Sequence, residues 1–294
     1  MNETVGFIGL GAMGLPIAGN LRAAGYPLRV HNRTMEKAKP LLARGAEPAS
    51  SPAEAAPPGG IVFTMVSDDA ALSSIVESPH FLERLGAGGV HVSMSTVAPK
   101  TARDLARRHA QAGSVYLAAP VFGRPDAAAA KLLWICLSGA AAARERARPL
   151  LSAIGQRTVE FGDDPGAANV VKLCGNFLIA SSIEMMAEAW TLAEKNAIAP
   201  AEIAKFFSET LFAAPVFKNY GAAVAEKRYS PPGFRLALGL KDVELVLGAA
   251  RESKAPMPIA SLLRDRLLAA VARGRGDLDW SALGIGAAED AGLS

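Results

Sequence analysis

The stretch Thr4-Val5-Gly6-Phe7-Ile8-Gly9-Leu10-Gly11-Ala12-Met13-Gly14 decides the fold of this chain. Gly9, Gly11 and Gly14 stand in GxGxxG spacing. The apolar run Val5 to Ile8 leads into them as a strand. Met13 to Ala24 leads out as a helix that stops at Gly25. A second apolar run, Leu28 to Val30, ends in Asn32-Arg33-Thr34. This spacing predicts a β-turn-α-β unit of the dinucleotide-binding kind. Gly9 allows the tight turn off the strand. Gly11 lets the backbone approach a pyrophosphate with no Cβ in the way. Gly14 lets the helix pack close to the sheet. The helix then offers free N–H groups and its positive dipole end to the phosphates. Leu10, Ala12 and Met13 complete the turn, with the pyrophosphate expected at Gly11 to Met13. A glycine-rich turn without a ligand is the plainer reading; the strand before it and the helix after it argue against that.

The end of the second strand bears on the choice between NAD and NADP. A carboxylate there would hydrogen-bond the ribose 2′-hydroxyl of NAD, whereas an arginine accommodates the 2′-phosphate of NADP. This chain has Asn32, Arg33 and Thr34, with Lys37 one turn further on. Arg33 can pair with a phosphate through its planar fork, and Asn32 and Thr34 can donate hydrogen bonds. The expected cofactor is therefore NADP(H). The plainer alternative makes Arg33 a solvated loop charge and Thr34 an N-cap.

At 294 residues the chain fits two domains, and half of its residues are apolar. Net charge is only +3, from 31 basic and 28 acidic residues. The charges are interspersed, which argues against nucleic acid or an anionic membrane as the main partner. Cys136 and Cys174 sit in apolar surroundings and read as reduced core residues of a cytoplasmic protein, with no disulfide or metal framework. No signal peptide is visible, since a functional motif begins at Val5. No apolar run is expected to reach the length of a membrane span.

Strands and helices keep alternating after the first unit. Strands are expected at Ile61 to Val66, Val90 to Met94, Val115 to Ala118, Leu132 to Ser138 and Thr158 to Phe161. Met65 and Val66, ending the first of these, are further cofactor-contact candidates. Helices are expected at Pro99 to Ala112 and Ala140 to Ala153. Ser51-Pro52-Ala53-Glu54 has capping-box spacing, and Pro40 should kink or shorten the helix after Thr34. The alternation predicts an α/β Rossmann domain over residues 1–164, with helices on both faces of a parallel sheet. From Gly166 the pattern changes. Residues 167 to 195 read as one long helix, and helices follow at Pro200 to Thr210, Ala214 to Glu226, Gly239 to Ser253 and Met257 to Arg273. Residues 165–294 are thus expected to form an all-α domain joined through the long helix.

On that helix Asn169, Lys172 and Asn176 share one face, at i, i+3 and i+7. Apolar residues surround them. A lysine in such company should be partly desolvated, which lowers its pKa from the ordinary value of ~10.4 toward the range of proton exchange near neutrality. Asn176 can orient the ammonium or bind a substrate oxygen. From periodicity alone, a lysine snorkelling from a helix end is an equal alternative.

Four motifs carry a resemblance that covers essentially the whole chain. They are Phe7 to Leu21, His91-Val92-Ser93-Met94-Ser95-Thr96-Val97-Ala98-Pro99, Ala118-Ala119-Pro120-Val121-Phe122-Gly123, and Gly166 to Asn176; Lys241-Asp242 is a fifth piece. Together they resemble the β-hydroxyacid dehydrogenase family, which includes 3-hydroxyisobutyrate dehydrogenases, tartronate semialdehyde reductases and glyoxylate/succinic semialdehyde reductases. The resemblance implies that Lys172 is the catalytic acid/base and that Asn176 assists it. The family often has two adjacent asparagines there; this chain has Gly175 in place of the first. Thr96 matches a cofactor contact, Ser95 a substrate contact and Lys241 a further cofactor contact. Without the family, Lys241-Asp242 would read as an ordinary exposed helix charge pair.

The loop at 118–124 departs from the family pattern Asp-Ala-Pro-Val-Ser-Gly-Gly. Phe122 replaces the small serine and Arg124 the second glycine. In relatives, backbone N–H groups of this loop hold a substrate carboxylate, so Phe122, Gly123 and Arg124 are substrate-site candidates. Phe122 would narrow the site or offer an apolar wall; Arg124 would anchor an anion or face solvent. The resulting expectation is an NADP(H)-dependent reductase or dehydrogenase of a small carbonyl or hydroxy acid. The alternatives are an imine reductase, which shares the architecture but usually lacks the lysine, and a non-catalytic NADP-binding scaffold. A homodimer or higher homo-oligomer is expected through the C-terminal helices, which carry Ile203, Phe206, Phe207, Leu211, Phe212 and Phe217 on wide apolar faces.

Overall fold

The structure is a computed structural model and describes residues 3–293. The chain forms two compact units, the first ending at Lys172 and the second beginning at Leu173. That divide falls inside the long helix Ala167–Lys195. The first turns of that helix belong to the first unit. Ala168 donates its N–H to Ser138 Oγ at 3.0 Å and packs in that unit's core.

The first unit is built on six parallel strands: β1 Val5–Ile8, β2 Leu28–His31, β3 Glu47–Pro48, β4 Ile61–Thr64, β5 Val90–Ser93 and β6 Val115–Ala118. Their order is β3-β2-β1-β4-β5-β6. Strands β1, β4 and β5 are buried at every position, as a sheet covered on both faces requires. Phe7, Ile17, Leu21 and Phe63 pack on one side, and Ile8, Leu72, Phe81 and Tyr116 on the other. The chain runs outward in both directions from the β1/β4 pair, where Ile8 lies opposite His31 on one flank and Thr64 on the other. That reversal opens a crevice at the strand carboxyl ends, the place where open α/β sheets bind ligands.

Three later strands form a sheet of their own instead of extending the first. They are β7 Val121–Phe122, β8 Leu133–Leu137 and β9 Gly155–Glu160, with β7 antiparallel and β9 parallel to β8. An isolated bridge between Ala118 and Ser138 links the end of β6 to this sheet. Strands β3 and β7 have two residues each, too few to show a period in the sequence. Pro40 does shorten its helix: a 3₁₀ turn at Met35–Ala38 gives way to a four-residue helix, Lys39–Leu42. The capping box is half formed. Ser51 Oγ accepts the Glu54 N–H, but the Glu54 carboxylate turns to the N–H and hydroxyl of Ser50.

The second unit is helical, with helices Pro200–Glu209, Pro215–Ala225, Leu236–Ser253, Pro258–Ala272 and Leu283–Asp290 packed around the rest of the long helix. Ile183, Met186, Trp190, Leu236, Leu263, Leu267 and Trp280 make its core. Two expectations need correction. Cys174 is exposed, because its position on the long helix turns away from the core; Cys136 is buried, and both thiols are free. The long helix is also apolar enough, at mean hydropathy 1.4, to match a membrane span by length and composition. Half of that stretch is buried within the protein, and it carries the buried polar residues Asn176, Ser181 and Glu184. It is built as a core helix.

Candidate active site

At the end of β1 the chain turns at once. Gly9 takes φ +97°, and a Cβ there would stand 2.3 Å from the Met65 carbonyl oxygen. Gly14 begins the helix Gly14–Ala23, where a Cβ would stand 1.9 Å from the Gly9 carbonyl oxygen. A side chain at either position would force the helix off the strand. Beside Gly11 the space is open, with nothing within 4 Å of an added Cβ. A turn held this tightly, with one open flank, fits a pyrophosphate. A groove of about 290 Å³ lies here, lined by Leu10, Gly11, Ala12, Leu15, Glu36, Lys37 and Pro40.

Asn32 ties the end of β2 to this turn. Its Oδ1 accepts the Leu10 N–H, and its Nδ2 donates to the Thr34 carbonyl, both at 2.8 Å. This holding role was hidden in the sequence, where Asn32 read as a phosphate donor. Thr34 makes no side-chain cap bond, and Arg33, Thr34 and Lys37 are exposed. Glu36 also lines the groove, but Lys39 pairs with it at 2.5 Å. Met65 and Val66 follow β4 directly beneath Gly9. The Val66 N–H donates to Ser95 Oγ at 2.8 Å, and Ser95 is buried. Ser95 therefore braces the ends of β4 and β5, beside the half-buried Thr96.

Lys172 is only 8% exposed, which removes the snorkelling alternative. Its Nζ lies 4.2 Å from the centroid of the Phe122 ring. Phe122 is on β7, opposite Trp134 of β8. Cys136, two residues along β8, has its thiol pushed up by burial, an effect the Lys172 charge partly offsets. One turn before Lys172, Asn169 is buried, and neither atom of its amide finds a hydrogen-bond partner among the described residues. Such an amide pairs with water or a ligand in most proteins. Gly123 takes φ +133°, and both Gly123 and Arg124 are exposed.

In the second unit the next turn of the same helix carries Asn176, also buried. Its Nδ2 donates to Asp242 Oδ2 at 2.5 Å. Asp242 is 2% exposed and pairs through Oδ1 with Lys241 Nζ at 2.9 Å. Lys241-Asp242 is therefore no ordinary exposed pair. The sequence did not reveal the burial of Asp242 or its bond to Asn176, since adjacent opposite charges on a helix usually point to water.

Two family models match the chain. One, for the NAD-binding domain of 6-phosphogluconate dehydrogenase, covers residues 4–162. The other, for the NAD-binding domain of NADP-dependent 3-hydroxyisobutyrate dehydrogenase, covers residues 166–284. An uncharacterized oxidoreductase of Bacillus subtilis, YfjR, is 41% identical over 95% of this chain and 98% of its own length. A 3-hydroxyisobutyrate dehydrogenase of Mycobacterium tuberculosis, solved with L-serine, superposes at TM-score 0.87 with 27% identity, covering 97% of this chain and 99% of its own. An imine reductase of Streptomyces aurantiacus reaches TM-score 0.67 at 27% identity, with coverage of 97% and 99%.

Proposed function

The chain belongs to the β-hydroxyacid dehydrogenase family, and on that footing we propose that it is an NADP(H)-dependent reductase of small carbonyl acids with Lys172 as proton donor. That it is an NAD(P)-dependent oxidoreductase follows from the family. The preference for NADP(H) is supported by Arg33, with Thr34 and Lys37 beside it, at the point where a carboxylate would favour NAD. The open flank of Gly11 and the groove beside it fit the pyrophosphate. Met65, Val66, Thr96 and Lys241 are the further cofactor contacts, and Ser95, Phe122, Gly123 and Arg124 border the substrate.

When bound, the cofactor supplies or accepts hydride at nicotinamide. The chain's part is to hold the reactants and to manage a proton. Lys172 holds that proton at Nζ and delivers it to the oxygen of the substrate carbonyl as that oxygen gains negative charge. In the reverse direction Nζ takes the proton of the hydroxyl. Asn176, fixed by Asp242, orients this exchange. General acid catalysis of this kind contributes ~10²–10⁴-fold in rate.

The burial of Lys172 carries the reading: a lysine kept from solvent on this helix needs a task that water would spoil. It also favours reduction of C=O over C=N, since imine reductases resemble the family but usually lack this lysine. NADPH oxidation with a panel of aldehydes, keto acids and cyclic imines tests the proposal. We expect turnover on aldehydes or keto acids, and Lys172→Ala to keep NADPH binding while losing at least 100-fold in kcat, the low end of general acid catalysis (~10²-fold). Near wild-type kcat in that variant, or activity confined to imines, would overturn it. A non-catalytic NADP-binding scaffold would bind NADPH and turn over none of the panel. The protein is further proposed to be cytoplasmic, in keeping with two free thiols, and to act as a homo-oligomer.

A further inference from the structure

We propose that Phe122 is a positioning residue for Lys172: the face of its ring holds the ammonium in place and favours the charged form. Its functional meaning rests on the proton-donor role of Lys172, but the contact is a matter of geometry. Nζ lies 4.2 Å from the ring centroid, well inside the ~6 Å range of a cation–π contact. The ring face is the negative side of the aromatic quadrupole. Lys172 is 8% exposed, so little water remains to solvate its charge. The ring supplies part of what water does not.

The backbone holds Phe122 to this task. Val121 pairs with Ile135 and Phe122 with Trp134, so the side chain is fixed to one face of the small sheet. Gly123 follows at φ +133°, where a Cβ would stand 2.6 Å from Leu133 Cδ2. The chain therefore leaves the strand along one path. The serine that the resembling family carries at this position offers no ring.

Across the small sheet, the Cys136 thiol is held protonated by burial and brings no negative charge. On the helix itself, Asn169 and Asn176 are neutral. The ring has two opposing effects on the lysine. Its bulk excludes water and disfavours charge; its face attracts the ammonium. Phe122→Leu keeps apolar bulk and removes the face, so it separates the two. The ammonium is the form that donates during reduction, and Phe122 thereby extends the working range of the acid toward higher pH.

The test is an NMR titration of protein carrying ¹³C-labelled lysine, with the Lys172 Cε signal assigned by its loss in Lys172→Arg. In the wild type the Lys172 methylene protons should lie upfield, shifted by the ring current. Phe122→Leu should abolish that shift and lower the titration midpoint by about 0.5–1 pH unit. Phe122→Met should behave like Phe122→Leu, which serves if the leucine variant fails to fold. Phe122→Tyr should keep both signatures. Absence of the upfield shift in the wild type, or a midpoint that is unchanged or raised without the ring, overturns the proposal. Near wild-type turnover in Lys172→Ala would instead remove the catalytic reading and leave the contact standing, so the two failures are told apart.

Discussion

Arg33 is exposed just past the end of β2, where the proposed NADP(H) preference places the 2′-phosphate. Arg33→Ala should narrow the gap between NADPH and NADH affinity by about 1–3 kcal/mol, the scale of charge-assisted hydrogen bonds. Dissociation constants measured by fluorescence titration check this; equal constants for the two cofactors in the wild type would refute it. Asp242 works differently. It touches no proposed substrate atom but fixes Asn176 and Lys241. Asp242→Asn keeps the shape and removes the charge, so Asn176 loses a charge-assisted acceptor in a buried place. The expected result is a folded protein with kcat reduced at least tenfold, the rate factor of about 1.4 kcal/mol. Thermal melting monitored beside kcat separates orientation from stability, and unchanged kcat would make Asp242 merely structural. The burial of Lys172 was only half legible at this scale, because periodicity left a lysine snorkelling from the helix equally open and its proposed role came from the family resemblance. The bond of Asp242 to Asn176 and the bracing roles of Asn32 and Ser95 were not legible, because each depends on a partner distant in sequence.

Between β5 and the helix Pro99–Gln111 lies a buried histidine pair. His109 Nδ1 bonds the Leu105 carbonyl oxygen at 2.8 Å, so that nitrogen carries the proton. His109 Nε2 then accepts from His91 Nδ1 at 3.1 Å, and His91 Nε2 accepts from Thr64 Oγ1 at 2.9 Å. Every ring nitrogen is used with both rings neutral. Burial pushes His109 down to about 4, against the backbone bond that raises it. His91 is held well below its usual range by burial and then by His109. Unfolded histidines bind protons below pH ~6.5, and the folded pair does not. The unfolded state thus binds more protons between pH 6.5 and about 4, and stability falls as pH falls through that window. His109 alone accounts for on the order of 3 kcal/mol. Urea midpoints at pH 7 and pH 5 should differ less in His109→Gln than in the wild type; an equal difference would assign the loss to carboxylates. The longest elements were legible in the sequence, but the eight-residue helices Asp69–Val76 and Leu283–Asp290 were not among those expected. The long helix and the four-residue buried strands announced themselves by period and by unbroken apolar runs. Strands β3 and β7 have two residues each and show no period, and the separate small sheet depends on a pairing that no local pattern encodes.

For the whole molecule, the surface of the helical unit argues for more than one copy. The sequence pointed to Ile203, Phe206, Phe207, Leu211, Phe212 and Phe217. Half of these serve the unit's own core: Phe207 stacks on Trp190, Phe217 stacks on Phe212, and Ile203 packs beside them. Phe206, Leu211 and Phe212 remain exposed. A second exposed row escaped the sequence, because a helix apolar on all sides does not reveal which side is buried. Leu178, Met185 and Leu192 stand seven residues apart on the long helix, each more than half exposed, with Cys174 one turn before Leu178. Seven-residue spacing of apolar side chains is the pattern by which one helix packs along another. Exposed apolar side chains in such a row are the kind of surface that marks an interface. Light scattering at micromolar concentration should therefore give a multiple of the chain mass. Met185→Glu would bury an unpaired charge between copies, and it should shift the mass toward a single chain without lowering helix content. Cys174 supplies an independent reading. Its thiol should react slowly with a maleimide in the wild type and at least tenfold faster in Met185→Glu, since a shift toward free chains of only ~1.4 kcal/mol exposes the thiol tenfold more. A wild-type protein that scatters as one chain, with Cys174 fully reactive, would leave this row as bare surface and refute the assembly.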